Sequence, residues 1–195
     1  MIYLEEIKDL DPFTKYPQLK TIWPDPFNAI MQEAYYEDLL LKSFHPHFDL
    51  GNMSYIKSED GTVIGITGMF IIPDSGNYEP INPNLEEGYL RWHGIIPEER
   101  RKGYSELAMT LLLTDITSKY KHFKNIIELV PQTEYGIHIE AHFKHLGFTK
   151  VGEKEKYDWI DCEWQPFHLD TVKYLHNHDA YPKTTKLPLL KKLFK

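Results

Sequence analysis

The run Ile95-Ile96-Pro97-Glu98-Glu99-Arg100-Arg101-Lys102-Gly103-Tyr104-Ser105-Glu106-Leu107 limits the fold more than any other part of the chain. An aliphatic strand end meets a proline, an acidic pair, a basic run and a glycine. Apolar residues then recur at helical spacing, with Leu107, Leu111, Leu112 and Ile116 expected inward. A helix start presents N–H groups that have no acceptor inside the helix, and it carries partial positive charge. That makes it an anion site. Gly103 lets a ligand approach the backbone, and Arg100, Arg101 and Lys102 add charge suited to phosphate. The run matches neither the P-loop pattern nor the dinucleotide fingerprint. It predicts a cradle for a phosphate or pyrophosphate.

The flanking sequence supplies a sheet for this unit. Met1 to Ile7 alternates apolar and polar and reads as a first strand. Asp11-Pro12 predicts a helix start, with Phe13, Tyr16 and Leu19 at helical spacing before the break at Trp23-Pro24-Asp25-Pro26. A second helix is expected from about Asn28 to Ser43, with Met31, Tyr35 and Leu39 as its stripe. Met53–Ser58 and Thr62–Ile72 read as strands joined at Glu59-Asp60-Gly61, since Asp-Gly supplies the positive φ of a hairpin turn. Glu87 to Ile96 is a further strand and Arg101 to about Ser118 a helix. Asn125 to Val130 is a buried strand, and Glu134 to Leu146 a helix closed by Gly147. Phe148–Val151 and Tyr157–Cys162 are the last strands expected, followed by a short helix over His168–His176. This order implies an α/β (α+β) fold: a central mixed, partly parallel sheet with helices on both faces. The expected division is one domain over 1–162, with 163–195 as a C-terminal extension packed on it or trailing from it.

A net charge of −7 argues against nucleic acid and anionic membrane as partners and mildly attracts cations. The basic end at Lys183, Lys186, Lys191, Lys192 and Lys195 reads as a solvated tail. The one cysteine, Cys162, cannot form an internal disulfide, and the N-terminal residues do not read as a signal peptide. A cytoplasmic location is expected.

The central run and a second stretch together resemble the GNAT acyltransferase superfamily. The family signature, Arg/Gln-x-x-Gly-x-Gly/Ala, is matched by Arg100-x-x-Gly103-x-Ser105, with Ile95 at the aliphatic position and Pro97 at the usual proline. The second stretch is Ala141-His142-Phe143-Lys144-His145-Leu146-Gly147-Phe148, a helix ending in Leu-Gly-Phe. The likeness covers roughly 1–162 in element order. It implies acetyl-coenzyme A as cosubstrate with no metal, held in a cleft where two parallel strands part. His93 to Ile95 would pair with the pantetheine arm, and the backbone N–H groups of Arg101, Lys102, Gly103, Tyr104 and Ser105 would hold the pyrophosphate. Three positions depart from the family pattern. Ser105 replaces the last small residue, Gly136 stands where many members have Asn, and Phe143 where many have a proton-donating Tyr.

The implied reaction moves an acetyl or other short acyl group to a small-molecule or peptide amine by direct attack. Period-two alternation would put Glu87, Tyr89, Arg91, His93 and Ile95 on one strand face. His93, with the ordinary pKa nearest neutrality, is the candidate base and Glu87 its rival; otherwise His93 is a packed, hydrogen-bonded strand residue. His138, His142 and His145 share a helix face, read as a polar face rather than a metal site, or as proton donors in place of the missing Tyr. His45-Pro46-His47 reads as a loop feature, and Cys162 lies in no nucleophile signature. Tyr35, Tyr36, Tyr78, Tyr89 and Trp92 are candidate walls of an acceptor pocket, which would suit an amine. The alternative to an enzyme is a sensor module that holds coenzyme A on the same fold, and a homodimer is left open.

Overall fold

The alternating start forms β1 (Ile2–Glu6). The computed structural model describes residues 1–25, 27–29, 31–33, 35–36, 53–70, 87–157 and 160–178. Helix α1 (Pro12–Lys15) opens as expected, with Asp11 accepting from Thr14 N at 3.0 Å and proline in the first turn. It is shorter than the spacing of Phe13, Tyr16 and Leu19 predicts. Pro17 denies Tyr16 the helical region, so Tyr16 sits at φ −126 and a 3-10 helix (Pro17–Thr21) takes over. Residues 27–29, 31–33 and 35–36 are helical and are called α2. Leu39, His45, His47 and Tyr78 lie outside the described residues. Asp9 accepts from Lys15 Nζ at 2.7 Å and Tyr55 Oη at 2.8 Å, and its carbonyl accepts from Tyr35 Oη at 3.1 Å. One acidic residue thus ties α1 and α2 to the sheet.

The hairpin forms at the expected turn, between β2 (Ser54–Ser58) and β3 (Val63–Phe70), with Asp60 Oδ1 accepting from Thr62 N and Ser58 Oγ. Then come β4 (Glu87–Ile95), a 3-10 turn (Pro97–Glu99), α3 (Tyr104–Lys119), β5 (Asn125–Pro131) and α4 (Glu134–His145). Thr133 caps α4 by accepting from Gly136 N at 3.1 Å. Phe148 N returns to Phe143 O at 2.9 Å past Gly147, closing the helix where Leu-Gly-Phe predicts. The last elements are β6 (Thr149–Lys150), β7 (Glu155–Tyr157), β8 (Ile160–Asp170) and α5 (Thr171–His178). Here the expectations need correction. β8 crosses the expected junction at 162/163, and residues 168–170, expected as helix, pair with Ile127, Ile126 and Asn125. The helix starts after them, with Asp170 Oδ1 accepting from Lys173 N at 2.9 Å.

The strands form one sheet in the order β1-β2-β3-β4-β5-β8-β6, with β7 also on β8. Every neighbouring pair is antiparallel except β4 and β5. This is the mixed, partly parallel sheet expected. α3 packs on β1, β3 and β4, while Ile22 and Trp23 lie against the opposite face of β4. Ala108, Met109, Leu112, Leu113 and Ile116 of α3 are buried; Leu107 and Leu111 are partly so. Among the described residues no helix is long and apolar enough to cross a membrane.

Candidate active site

β4 and β5 pair over only a short register: Glu87 with Asn125, Gly88 with Ile126 and Tyr89 with Ile127. Beyond it both strands continue, but their outer edges are held elsewhere. β3 holds β4 out to Ile95, and β8 holds β5 out to Pro131. The two strands therefore part, and among the described strands none covers the β4 edge over 90–95. That edge offers unpaired backbone groups to an extended ligand.

The parting ends at the basic turn. Arg100 is extended, Arg101 has φ +62 and Gly103 has φ +76, so the helix begins at Tyr104 rather than Arg101. Leu107 N bonds to Gly103 O, and among the described residues no side chain caps α3. The first-turn N–H groups of α3 consequently face outward without an intrahelical acceptor. Among the described residues a Cβ built on Gly103 meets nothing within 4 Å, so the space beside Gly103 is open there.

The cations of the turn divide. Arg100 turns inward: its Nε donates to Ile95 O at 3.1 Å and its guanidinium NH2 to Ile22 O at 2.7 Å. Expected as a phosphate ligand, Arg100 here ties the end of β4 to the 3-10 helix after α1. Arg101 is exposed, and Lys102 is exposed beside Glu99 at 2.8 Å. Ile95 is buried and Tyr104 packs on the core.

A bulge overturns the expected alternation along β4. Ile66 pairs with Gly94 but Gly68 with Arg91, so Trp92 and His93 together oppose Thr67. Trp92 takes φ +59 there. Trp92 turns towards Trp23 and Tyr35, with ring centroids 6.4 and 5.9 Å away, and a Cβ on Gly94 would point at Ile22 and Trp23. His93 points the other way, to α3 and α4, whereas Tyr89 packs with the Trp92 cluster.

Around His93 the structure brings together residues that sequence reasoning did not join. Thr67 Oγ1 is 2.9 Å from His93 Nδ1, His93 Nε2 is 2.7 Å from Ser105 Oγ, and Ser105 Oγ is 2.8 Å from His142 Nε2. The two imidazoles stack at 6.3 Å. Burial, and secondarily the neighbouring His142, pulls the His93 pKa down to about 3. Both ring nitrogens are engaged, so the ordinary imidazole pKa that favoured His93 as a base does not apply. Glu87, its rival, is exposed at the paired end of β4, roughly 20 Å of strand from His93.

The other candidates fall into place around this. His138, His142 and His145 are all exposed on α4, and His142 hydrogen-bonds with Ser105. Phe143 is buried against Phe148, with ring centroids at 4.9 Å. A Cβ on Gly136 would run into Pro131 O, which accounts for glycine where a larger residue was the family pattern. Trp92 and Tyr35 are buried in the core cluster; Tyr36 is exposed and donates to Asp11 at 2.8 Å. Cys162 lies on β8.

No protein-family model matches the chain, and no curated protein matches it in sequence. Solved structures do. Spermidine N-acetyltransferase from Vibrio cholerae in complex with CoA and spermine is 16% identical, with TM-score 0.62 over 89% of this chain and 98% of that one. A chimera of the Vibrio cholerae spermidine N-acetyltransferase SpeG and hSSAT is 16% identical, with TM-score 0.61 over 90% and 98%. A dodecameric structure of the Vibrio cholerae enzyme in an intermediate state is 14% identical, with TM-score 0.60 over 90% and 97%. The mixed sheet, with one parallel pair among its described strands and flanking helices, is the fold of these GNAT acetyltransferases.

Proposed function

We propose that the protein is an acyl-coenzyme A-dependent N-acyltransferase that moves an acetyl or other short acyl group to an amine. The observation that carries this reading is the parted β4–β5 edge leading to the uncapped start of α3. An extended arm with carbonyl and amide groups suits the edge, and a pyrophosphate suits the turn. The backbone N–H groups of Arg101 to Ser105 would hold the phosphates, helped by the exposed side chains of Arg101 and Lys102. The backbone from His93 to Ile95 would pair with the pantetheine arm. That a fold neighbour is crystallised with CoA and spermine supports both the carrier and a cationic amine as first acceptor to test. A net charge of −7 favours the approach of such a cation.

The amine nitrogen attacks the thioester carbonyl, a C–N bond forms, and the C–S bond breaks with its electron pair going to sulfur. The nitrogen's proton leaves to water, with Glu87 the candidate carboxylate on the same strand. The thiolate takes a proton from water; a thiol pKa near 8.5 makes it a tolerable leaving group without a tyrosine. The chain contributes orientation of the carrier and its carbonyl. We infer that this chemistry occurs in the cytoplasm, on a single domain whose sheet extends through β8.

The test is thiol release from acetyl-coenzyme A with a panel of amines, spermine and spermidine included, checked by mass of the acylated product. Turnover with any amine supports the reading. Release no faster than hydrolysis, with intact coenzyme A binding, would favour a module that holds the carrier without using it. Buried Phe143 and the doubly bonded, neutral His93 are the observations on that side.

A further inference from the structure

Thr67 on β3, His93 on β4, Ser105 on α3 and His142 on α4 make one hydrogen-bonded chain across four elements. Its direction follows from its buried end. Thr67 is fully buried, and among the described residues its hydroxyl has one partner, His93 Nδ1. A hydroxyl has one proton and two lone pairs, so an unused lone pair is easier to bury than an unplaced proton. Thr67 therefore donates to His93 Nδ1. A neutral imidazole that accepts at Nδ1 carries its proton at Nε2, so His93 donates to Ser105 Oγ. Ser105 then has its single proton for His142 Nε2. His142 is left protonated at Nδ1, the one ring nitrogen of the two histidines with no partner among the described residues.

The surroundings disfavour the charged form of both rings. His93 is partly buried and loses solvation in its charged form, and desolvation, the nearby His145 on α4 and Arg100 in the turn all disfavour the charged form of His142. His93 on β4 stacks on the His142 ring, and Phe143 on α4 also lies against it. The residue as a whole is exposed, and Ser105 places it beside the first turn of α3 and the uncovered edge of β4.

We propose that Thr67, His93 and Ser105 are positioning residues that preset His142 as a neutral Nδ1–H donor to an acceptor oxygen of the coenzyme A arm. This rests on the acyl-carrier reading above. The donor is oriented before the ligand arrives, so binding need not reorganise it. A neutral donor of this kind selects a hydrogen-bond acceptor.

The experiment has two arms. In the first, ¹⁵N spectra of the ligand-free protein should show opposite tautomers: His93 protonated at Nε2 and His142 at Nδ1. Ser105→Ala should release His142 from that bias. The same tautomer on both rings, or a His142 unmoved by Ser105→Ala, overturns the chain. In the second arm, calorimetry with coenzyme A should show binding weakened about tenfold by His142→Ala. His142→Gln, which keeps an N–H donor, should recover most of that. Parental affinity in His142→Ala overturns the proposal while leaving acyl transfer standing. If the parent does not bind coenzyme A, the acyl-carrier reading falls together with the ligand assigned to His142. The tautomers still judge the chain in that case.

Discussion

Replacing Arg100 separates two accounts of the basic turn. In one, its guanidinium meets a phosphate; in the structure, it meets Ile95 O and Ile22 O, at 3.1 and 2.7 Å. Each is a bond from a cationic donor, worth about 1.5–3 kcal/mol. Arg100 is exposed, which argues for the lower end, although both residues whose carbonyls it serves are buried. Arg100→Ala should then cost about 3 kcal/mol. For a chain of this length that corresponds to a fall in Tm of roughly 6–12 °C. Arg100→Lys should recover only part, because an ammonium lacks the fork that spans two carbonyls. Arg101→Ala and Lys102→Ala should stay within about 0.5 kcal/mol of the parent. They should instead weaken coenzyme A binding, more at low salt than at high. Thermal unfolding and calorimetry on the same four variants decide it. An unchanged Tm in Arg100→Ala with lost coenzyme A affinity would refute the structural role and restore the phosphate role.

Gly103→Val should weaken coenzyme A binding in a folded protein, because the added branch fills the open space beside Gly103 and φ +76 costs about 1–2 kcal/mol; calorimetry showing parental affinity would remove the turn as the anion site. For His93, the folded pKa of about 3 lies below the unfolded value near 6.5, so the unfolded chain takes up a proton that the folded chain refuses. The resulting stability is present above pH 6.5 and is lost as pH falls towards 3, at about 1.4 kcal/mol per pH unit. Urea unfolding at pH 7 and pH 5 should show a smaller difference in His93→Gln than in the parent, and equal differences would contradict the assignment. Phe143→Leu should cost about 1–1.5 kcal/mol through packing and leave kcat near the parental value; a large loss of turnover at preserved stability would make the ring part of the chemistry.

What could be read from the sequence was what local chemistry decides. Pro97, Gly103 and Gly147 act on their own backbone, and the elements they bound lie close to where they were expected. What could not be read depends on distant partners. Arg100 is drawn inward by the carbonyl of Ile22, 78 residues earlier, and nothing in the local pattern distinguishes it from Arg101. Residues 168–170 have no strong strand pattern, yet opposite Ile127, Ile126 and Asn125 they extend β8. The bulge is the sharpest case. Alternation is a rule for an uninterrupted strand, and a tryptophan at φ +59 is not signalled by its neighbours. It is held there by Trp23 and Tyr35, which reach it from other elements. With one extra residue opposite Thr67, His93 no longer shares the face of Tyr89 that unbroken alternation gives it, and it lies with Ser105 and His142. The residue types at the site were therefore legible, but the face on which His93 appears was not. Any role for His93 is a consequence of that bulge, and so of the aromatic packing on the far side of the sheet.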